Sequence, residues 1–161
     1  MNRRECMAAL AAVMVPVVKG ESAGRTSNLL VFVHASNPVE NIPSGQLRQM
    51  LTGDISRWKQ NGWISIVLVG SGDEVLSRIF RTVLKMTLEE YKRLLALNHD
   101  RRWASEPQIV ETPEAASNLV ATKRGVLTIM EGDPETVIAG AKLVKIDGKL
   151  PTDEGYRYAM K

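Results

Sequence analysis

A three-layer α/β sandwich with a mostly parallel sheet is the fold class this sequence predicts, and three observations predict it. Residues 29–34 (LLVFVH) and 64–69 (ISIVLV) are continuous apolar runs rich in branched side chains, the pattern of strands buried on both faces. Segments with helical period alternate with them and with a third such run, residues 126–130. No repeat or linker divides the chain, and its 161 residues, 44% hydrophobic, are enough for one sizeable core.

Each element has its own local reason. After the first strand, ASNPVENIP is turn chemistry, with Asn37-Pro38 and Pro43 as breakers. Ser44 is placed to cap a short helix whose Leu47, Met50 and Leu51 share one face, and Gly53 suits its left-handed exit. In the following stretch, LTGDISRW, Asp54 stabilises the turn and Trp58 folds back over the sheet edge as a core residue. The second strand leads through GSGD into a helix over 73–84, with Val75, Leu76, Ile79, Phe80, Val83 and Leu84 on its inner side. Thr87-Leu88-Glu89-Glu90 is a capping box that starts another helix, over 87–97. A polar loop, NHDRRWASEP, precedes a short extended piece at 108–110. Thr112-Pro113 then supplies a cap and a first-turn proline for a helix that runs to Lys123-Arg124 and stops at Gly125. The third strand, an extended piece at 143–146 and a turn at Asp147-Gly148 complete the chain.

Composition narrows the function. A net charge of +3 with interleaved acids and bases gives no basic stripe, so no nucleic-acid partner is expected. The first 24 residues, MNRRECMAALAAVMVPVVKGESAG, have two arginines, an apolar run at 7–18 and a small-residue end, the layout of a secretory signal. That run is too short to span a bilayer, and Pro16 would break a buried helix there. The expected organisation is a cleaved signal over 1–23 and a single periplasmic or secreted domain over 24–161. Cys6, the only cysteine, would leave with the signal, so no disulfide or thiolate chemistry is expected.

The sequence offers one candidate ligand site. Gly70, Ser71, Gly72 and Asp73 lie between a strand end and a helix start, where backbone N–H groups and the positive end of the helix dipole suit an oxyanion. The alternative is structural: the glycines serve the turn and Asp73 caps the helix. His99 and Asp100 with Arg101, Arg102 and Trp103 read as a solvated loop rather than a catalytic pair, since no nucleophile elbow accompanies them. His34 and His99 lack metal-ligand spacing, and neither a Walker loop nor a GxGxxG turn is present, so no metal or cofactor is expected.

The order of these pieces resembles a known family. A helix, LTGDISRW, ISIVLV, GSGD and a helix containing RIFRTVL are similar to the phosphate-binding proteins of ABC transporters, especially short single-lobe bacterial forms. NPVENIPSGQLRQM before that core, PQIVETPEAASNLVATKRGVLTIM after it and a closing VKIDGKLP extend the resemblance over residues 29–151. It implies one lobe of a type II periplasmic binding fold, with a solute-binding role and phosphate or a related small oxyanion as ligand. The pattern departs where it matters most. In the family a Ser-Gly-Thr turn is preceded by an arginine and an aspartate that grip the phosphate. Here Ser71 and Gly72 match, Asp73 replaces the threonine, and Val67 and Val69 stand at the charged positions. After Gly125, Thr128 and Ile129 replace a glycine and a tyrosine.

Two functions follow. One is an exported solute-binding-type domain with a degraded oxyanion site, binding phosphate weakly or not at all, on an open surface or in a cleft rebuilt by self-association. The other is a non-catalytic regulatory or interaction domain that turns the same fold toward an envelope protein. An enzyme is not expected, because no constellation of acid, base and nucleophile is present.

Overall fold

The computed structural model describes residues 27–60, 62–98 and 106–160. The expected signal segment with Cys6 and the His99-to-Trp103 loop lie outside them. In chain order the elements are β1 (Ser27–His34), β2 (Asn41–Ile42), α1 (Ser44–Leu51), β3 (Arg57–Trp58), β4 (Gly62–Trp63), β5 (Ser65–Val69) and α2 (Asp73–Val83). They continue with α3 (Leu88–Asn98), β6 (Gln108–Val110), α4 (Pro113–Thr122), β7 (Val126–Gly132), β8 (Ala141–Leu143), β9 (Lys145–Ile146) and β10 (Ala159–Met160).

The central sheet has the order β10-β1-β7-β5-β6, with β8 sharing the outer edge of β1. Strands β7, β5 and β6 are mutually parallel, and β1 is antiparallel to β7, β8 and β10. Five of the six strands therefore point one way and β1 alone runs against them. An unbroken apolar run such as LLVFVH is the pattern of a parallel-sheet strand. Its burial on both faces is as expected, but burial does not encode direction.

Layering explains the unbroken apolar runs. Leu29, Val31 and Val33 of β1 face one core with Leu47 and Met50 of α1, Ile79 and Phe80 of α2, and Tyr91 of α3. Leu30 and Phe32 face a second core with Val67, Val69, and Ala116 and Val120 of α4. A strand covered by helices on both sides has no polar face to alternate with. Deep in the first core, Phe80 and Tyr91 stack at 4.2 Å, and the Tyr91 hydroxyl donates to the Leu51 carbonyl at 3.0 Å. Burial of that phenol pushes its pKa well above the ordinary tyrosine value.

Most local expectations hold. The capping box is reciprocal: Thr87 N–H donates to Glu90 Oε2 at 2.7 Å and Glu90 N–H to Thr87 Oγ1 at 3.2 Å. Thr112 Oγ1 accepts from Ala115 N–H at the start of α4, with Pro113 in the first turn. Gly53 takes φ 80°, and Asp147 and Gly148 both take positive φ in the tight turn after β9.

Three expectations are corrected. Ser44 does not cap α1: it is the first helical residue, and its N–H is satisfied by Asp147 Oδ1 at 2.8 Å from the far turn. Gly125 is no helix stop, since α4 ends at Thr122 and a Cβ on Gly125 would sit 2.1 Å from the Trp63 carbonyl oxygen. The extended piece at 143–146 is two strands, β8 on the main sheet and β9 paired in parallel with β2. Among the described residues no helix is long and apolar enough to cross a membrane.

Candidate functional site

The glycine turn forms where β5 must hand the chain to α2. Gly70 is buried under α2, where an added Cβ would meet Leu76 Cδ2 at 3.1 Å. Gly72 takes φ 100° at the helix N-cap, a conformation that favours glycine. Ser71, Gly72, Asp73 and Glu74 are exposed. Thus all four predicted residues lie at the carboxyl end of the sheet, the position where open α/β sheets hold ligands.

They are not equivalent as donors. Gly70 N–H is consumed by the Val110 carbonyl at 2.9 Å, which prolongs the β5–β6 ladder. That removes it from any anion. Asp73 does not cap the helix: Gly72 occupies the N-cap, no side chain caps α2, and Asp73 and Glu74 sit in its first turn. Their charges complement the helix dipole and thereby compete with an external anion for it.

The structure adds residues that sequence reasoning missed. Ser71 and Gly70 line a depression of about 300 Å³ with Ser27, Arg78, Glu111 and Glu131. Arg78, one turn into α2, supplies the positive charge that Val67 and Val69 cannot, both being buried in the second core. Its guanidinium is already engaged: Nε donates to Glu131 Oε2 at 2.9 Å, and Nη1 to Glu74 Oε1 at 3.0 Å. Glu131 is fixed on its other side by the Ser27 hydroxyl, which donates to Oε1 at 2.5 Å. The hydrogen bond to Glu131 is the main influence raising the Arg78 pKa, ahead of the opposing effect of burial. An internal carboxylate thus occupies the cation that an external oxyanion would need.

The Glu74–Arg78 pair was legible as an i,i+4 spacing on a predicted helix. The Glu131 pair, 53 positions apart in sequence, carried no such signal. At the departure after Gly125, Thr128 and Ile129 are wholly buried between sheet and helices, and Thr128 Oγ1 has no hydrogen-bond partner. Neither residue reaches the depression.

The described residues form a single α/β lobe with a glycine turn at the carboxyl edge of its sheet. The chain is similar to an ABC-type phosphate transport receptor from Vibrio cholerae, with a TM-score of 0.51 and 19% identity over 78% of this chain and 48% of that one. A putative phosphate ABC transporter substrate-binding protein with bound phosphate from Clostridium perfringens matches with a TM-score of 0.55 and 20% identity, over 76% and 46% of the two chains. PstS from Borrelia burgdorferi matches with a TM-score of 0.59 and 17% identity, over 78% and 49%. This chain therefore spans about half the length of these structures, and identities at this level establish the fold alone. No family model matches the sequence, and no curated protein does.

Proposed function

We propose that this protein is a non-catalytic, solute-binding-type lobe, exported to the periplasm, whose oxyanion turn is disarmed. One observation carries the reading: Glu131 holds the Arg78 guanidinium within the depression that the turn lines. The other described charges point the same way, since Glu111 lines the depression and Asp73 and Glu74 stand in the first turn of α2, against Arg78 as the one lining cation among the described residues. A phosphate placed at Ser71 and Gly72 would gain the N–H donors of a helix start and meet four carboxylates. With Nε and Nη1 held by Glu131 and Glu74, the Arg78 charge is already countered before an external anion arrives.

The test is a calorimetric titration of inorganic phosphate into the mature protein. Binding with a dissociation constant in the millimolar range or weaker, about −4 kcal/mol at most, is expected. Micromolar affinity would contradict the reading. Asp73→Thr, which removes one repulsion and adds a hydroxyl donor, is expected to strengthen phosphate binding several-fold.

The second reading, an interaction domain of the cell envelope, is favoured by the sheet edge. Among the described residues strand β6 ends the sheet order, and its Ile109 is 54% exposed. An unpaired strand edge with an exposed branched residue is a template for another chain. Sedimentation of the protein and of Ile109→Lys tests the edge as a pairing surface: self-association lost in the variant supports pairing there, and a monomer in both opposes self-pairing at this edge.

A further inference from the structure

The edge of the sheet opposite the glycine turn carries the opposite charge. There β5 and β7 begin, paired at Ser65 and Val126. Two segments meet beside that rung: the β3–β4 hairpin, and the turn at Lys123-Arg124 between α4 and β7. Trp63 and Gly125 join them, since the Trp63 carbonyl oxygen leaves no room for a Cβ on Gly125. Arg57 and Lys59 come from the first segment, Lys123 and Arg124 from the second, and all four are exposed.

Strand alternation sorts the side chains of the hairpin. Trp58 turns inward and is buried, with its indole bonded to the Gly125 carbonyl. Arg57 and Trp63 are cross-strand partners, so their side chains share the other face. There Trp63 is 47% exposed, and the Arg57 guanidinium lies 4.0 Å from the centre of its ring. One tryptophan of the hairpin is packed, and the other is displayed beside a cation.

Part of this charge has a local reason. Lys123 and Arg124 follow the carboxyl end of α4 and complement its dipole. That accounts for their sign but not for what they face. Neither they nor Arg57 and Lys59 form an ion pair with another described residue, whereas Arg78 and Lys92 do. The cavity of about 260 Å³ that borders the hairpin is lined by Arg57, Lys59 and Gln46 and by no carboxylate. Asp54, the acid of the preceding turn, accepts from the Thr52 hydroxyl at 2.8 Å.

Four such cations around a displayed indole suit a surface that is anionic and amphipathic at once. An indole has an apolar body and a polar N–H, and it settles at the headgroup level of a bilayer. Lysines and arginines beside it are drawn to anionic headgroups over about a Debye length. The cations are confined to one hairpin and one turn, while acids and bases interleave along the rest of the chain, so no stripe follows a nucleic-acid backbone.

We propose that this edge of the lobe docks on an anionic lipid surface, with Trp63 at headgroup level and Arg57, Lys59, Lys123 and Arg124 against the lipid phosphates. It uses no residue of the oxyanion turn, so it stands or falls separately from the proposed loss of phosphate binding.

The test is co-sedimentation of the full chain with phosphatidylglycerol or phosphatidylcholine vesicles. Every arm carries the same first 26 residues, so the apolar run at 7–18 contributes equally to each. Binding to phosphatidylglycerol should exceed binding to phosphatidylcholine and fall with added salt. Lys123→Glu combined with Arg124→Glu should weaken it about tenfold or more. Lys92→Glu combined with Arg93→Glu makes the same change in net charge on α3 and should leave most of it. If the first pair does not fold, Lys59→Glu in the hairpin turn carries the comparison. Brominated phosphatidylglycerol should quench tryptophan fluorescence in the natural chain and less in Trp63→Phe. Equal binding to the two lipids, an unchanged affinity in the folded hairpin or turn variants, an equal loss in the α3 variant, or capture of polyglutamate without any vesicle binding would each overturn the proposal.

Discussion

The indole Nε1 of Trp58 donates to the carbonyl oxygen of Gly125 at 3.0 Å, tying the β3–β4 hairpin to the start of β7 across 67 positions of sequence. The same oxygen accepts from Ser65 N–H at 3.0 Å, so one carbonyl fixes both the hairpin and the first rung between β5 and β7. Trp58 is 6% exposed and belongs to the first core. Its ring therefore serves packing before anything else. Trp58→Ala is expected to cost about 3–5 kcal/mol by denaturant unfolding. Trp58→Phe should cost about 0.5–1.5 kcal/mol beyond its smaller loss of packing, because the carbonyl keeps its second donor.

Gly125 approaches the Trp63 carbonyl too closely for any side chain, with 2.1 Å left for a Cβ. Gly125→Ala should therefore destabilise by about 3 kcal/mol or more, the upper end of overpacking effects. Gly45 lies within α1 and an added Cβ there would meet nothing within 4 Å. Gly45→Ala should stabilise by about 0.5–1 kcal/mol, through helix propensity alone. Thermal unfolding of the two variants should give shifts of opposite sign.

Asp147 couples stability to pH. Its Oδ1 accepts from Ser44 N–H at 2.8 Å, and Oδ2 accepts from the Tyr158 hydroxyl at 3.2 Å. The Ser44 hydrogen bond above all holds its pKa below the ordinary carboxylate value, against a weaker effect of burial. A folded pKa lowered in this way gives stabilisation that is complete above the unfolded value and is lost as pH falls through the folded one. Unfolding midpoints should accordingly fall with acidification below about pH 4. Asp147→Asn should flatten that acid arm and leave less of it to lose. An unchanged acid profile in the variant would show that the turn does not anchor α1.

Export is the expectation drawn from the first 24 residues. Amino-terminal sequencing of protein recovered from a periplasmic extract should begin near Glu21 or Gly24. Intact Met1 on protein recovered from the cytoplasm would contradict it.

What was legible in the sequence was what depends on neighbours in the chain. The capping box at Thr87, the Thr112-Pro113 start of α4 and the inner face of α2 follow from spacings of one to four residues, and each formed as read. The glycine turn was legible because Gly72 must reach φ 100° to bring the chain into α2. Trp58 was legible as core, although its hairpin strand was not, because a two-residue strand has too few positions to show a period. Contacts between distant segments were invisible. Asp147 satisfies Ser44 from 103 positions away, so the local cap rule misassigned that helix start. Gly125 follows a helix and resembles a stop signal, whereas its lack of a side chain is required by Trp63 on another strand. Most consequentially, Glu131 stands near the end of a buried apolar strand with nothing in its own neighbourhood to link it to Arg78.

The Glu131–Arg78 pair is what disarms the oxyanion turn. Glu131→Gln keeps an acceptor for Ser27 or Arg78 but removes the charge that occupies the guanidinium. Inorganic phosphate titrated calorimetrically into the natural protein and the variant, under the same low-salt conditions, compares the two states of Arg78. Millimolar or no measurable binding is expected in the natural protein, and an affinity about tenfold higher or more in Glu131→Gln, the scale of a charge-assisted hydrogen bond. Micromolar binding to the natural protein, or a folded variant with no gain at all, would contradict that role for the pair.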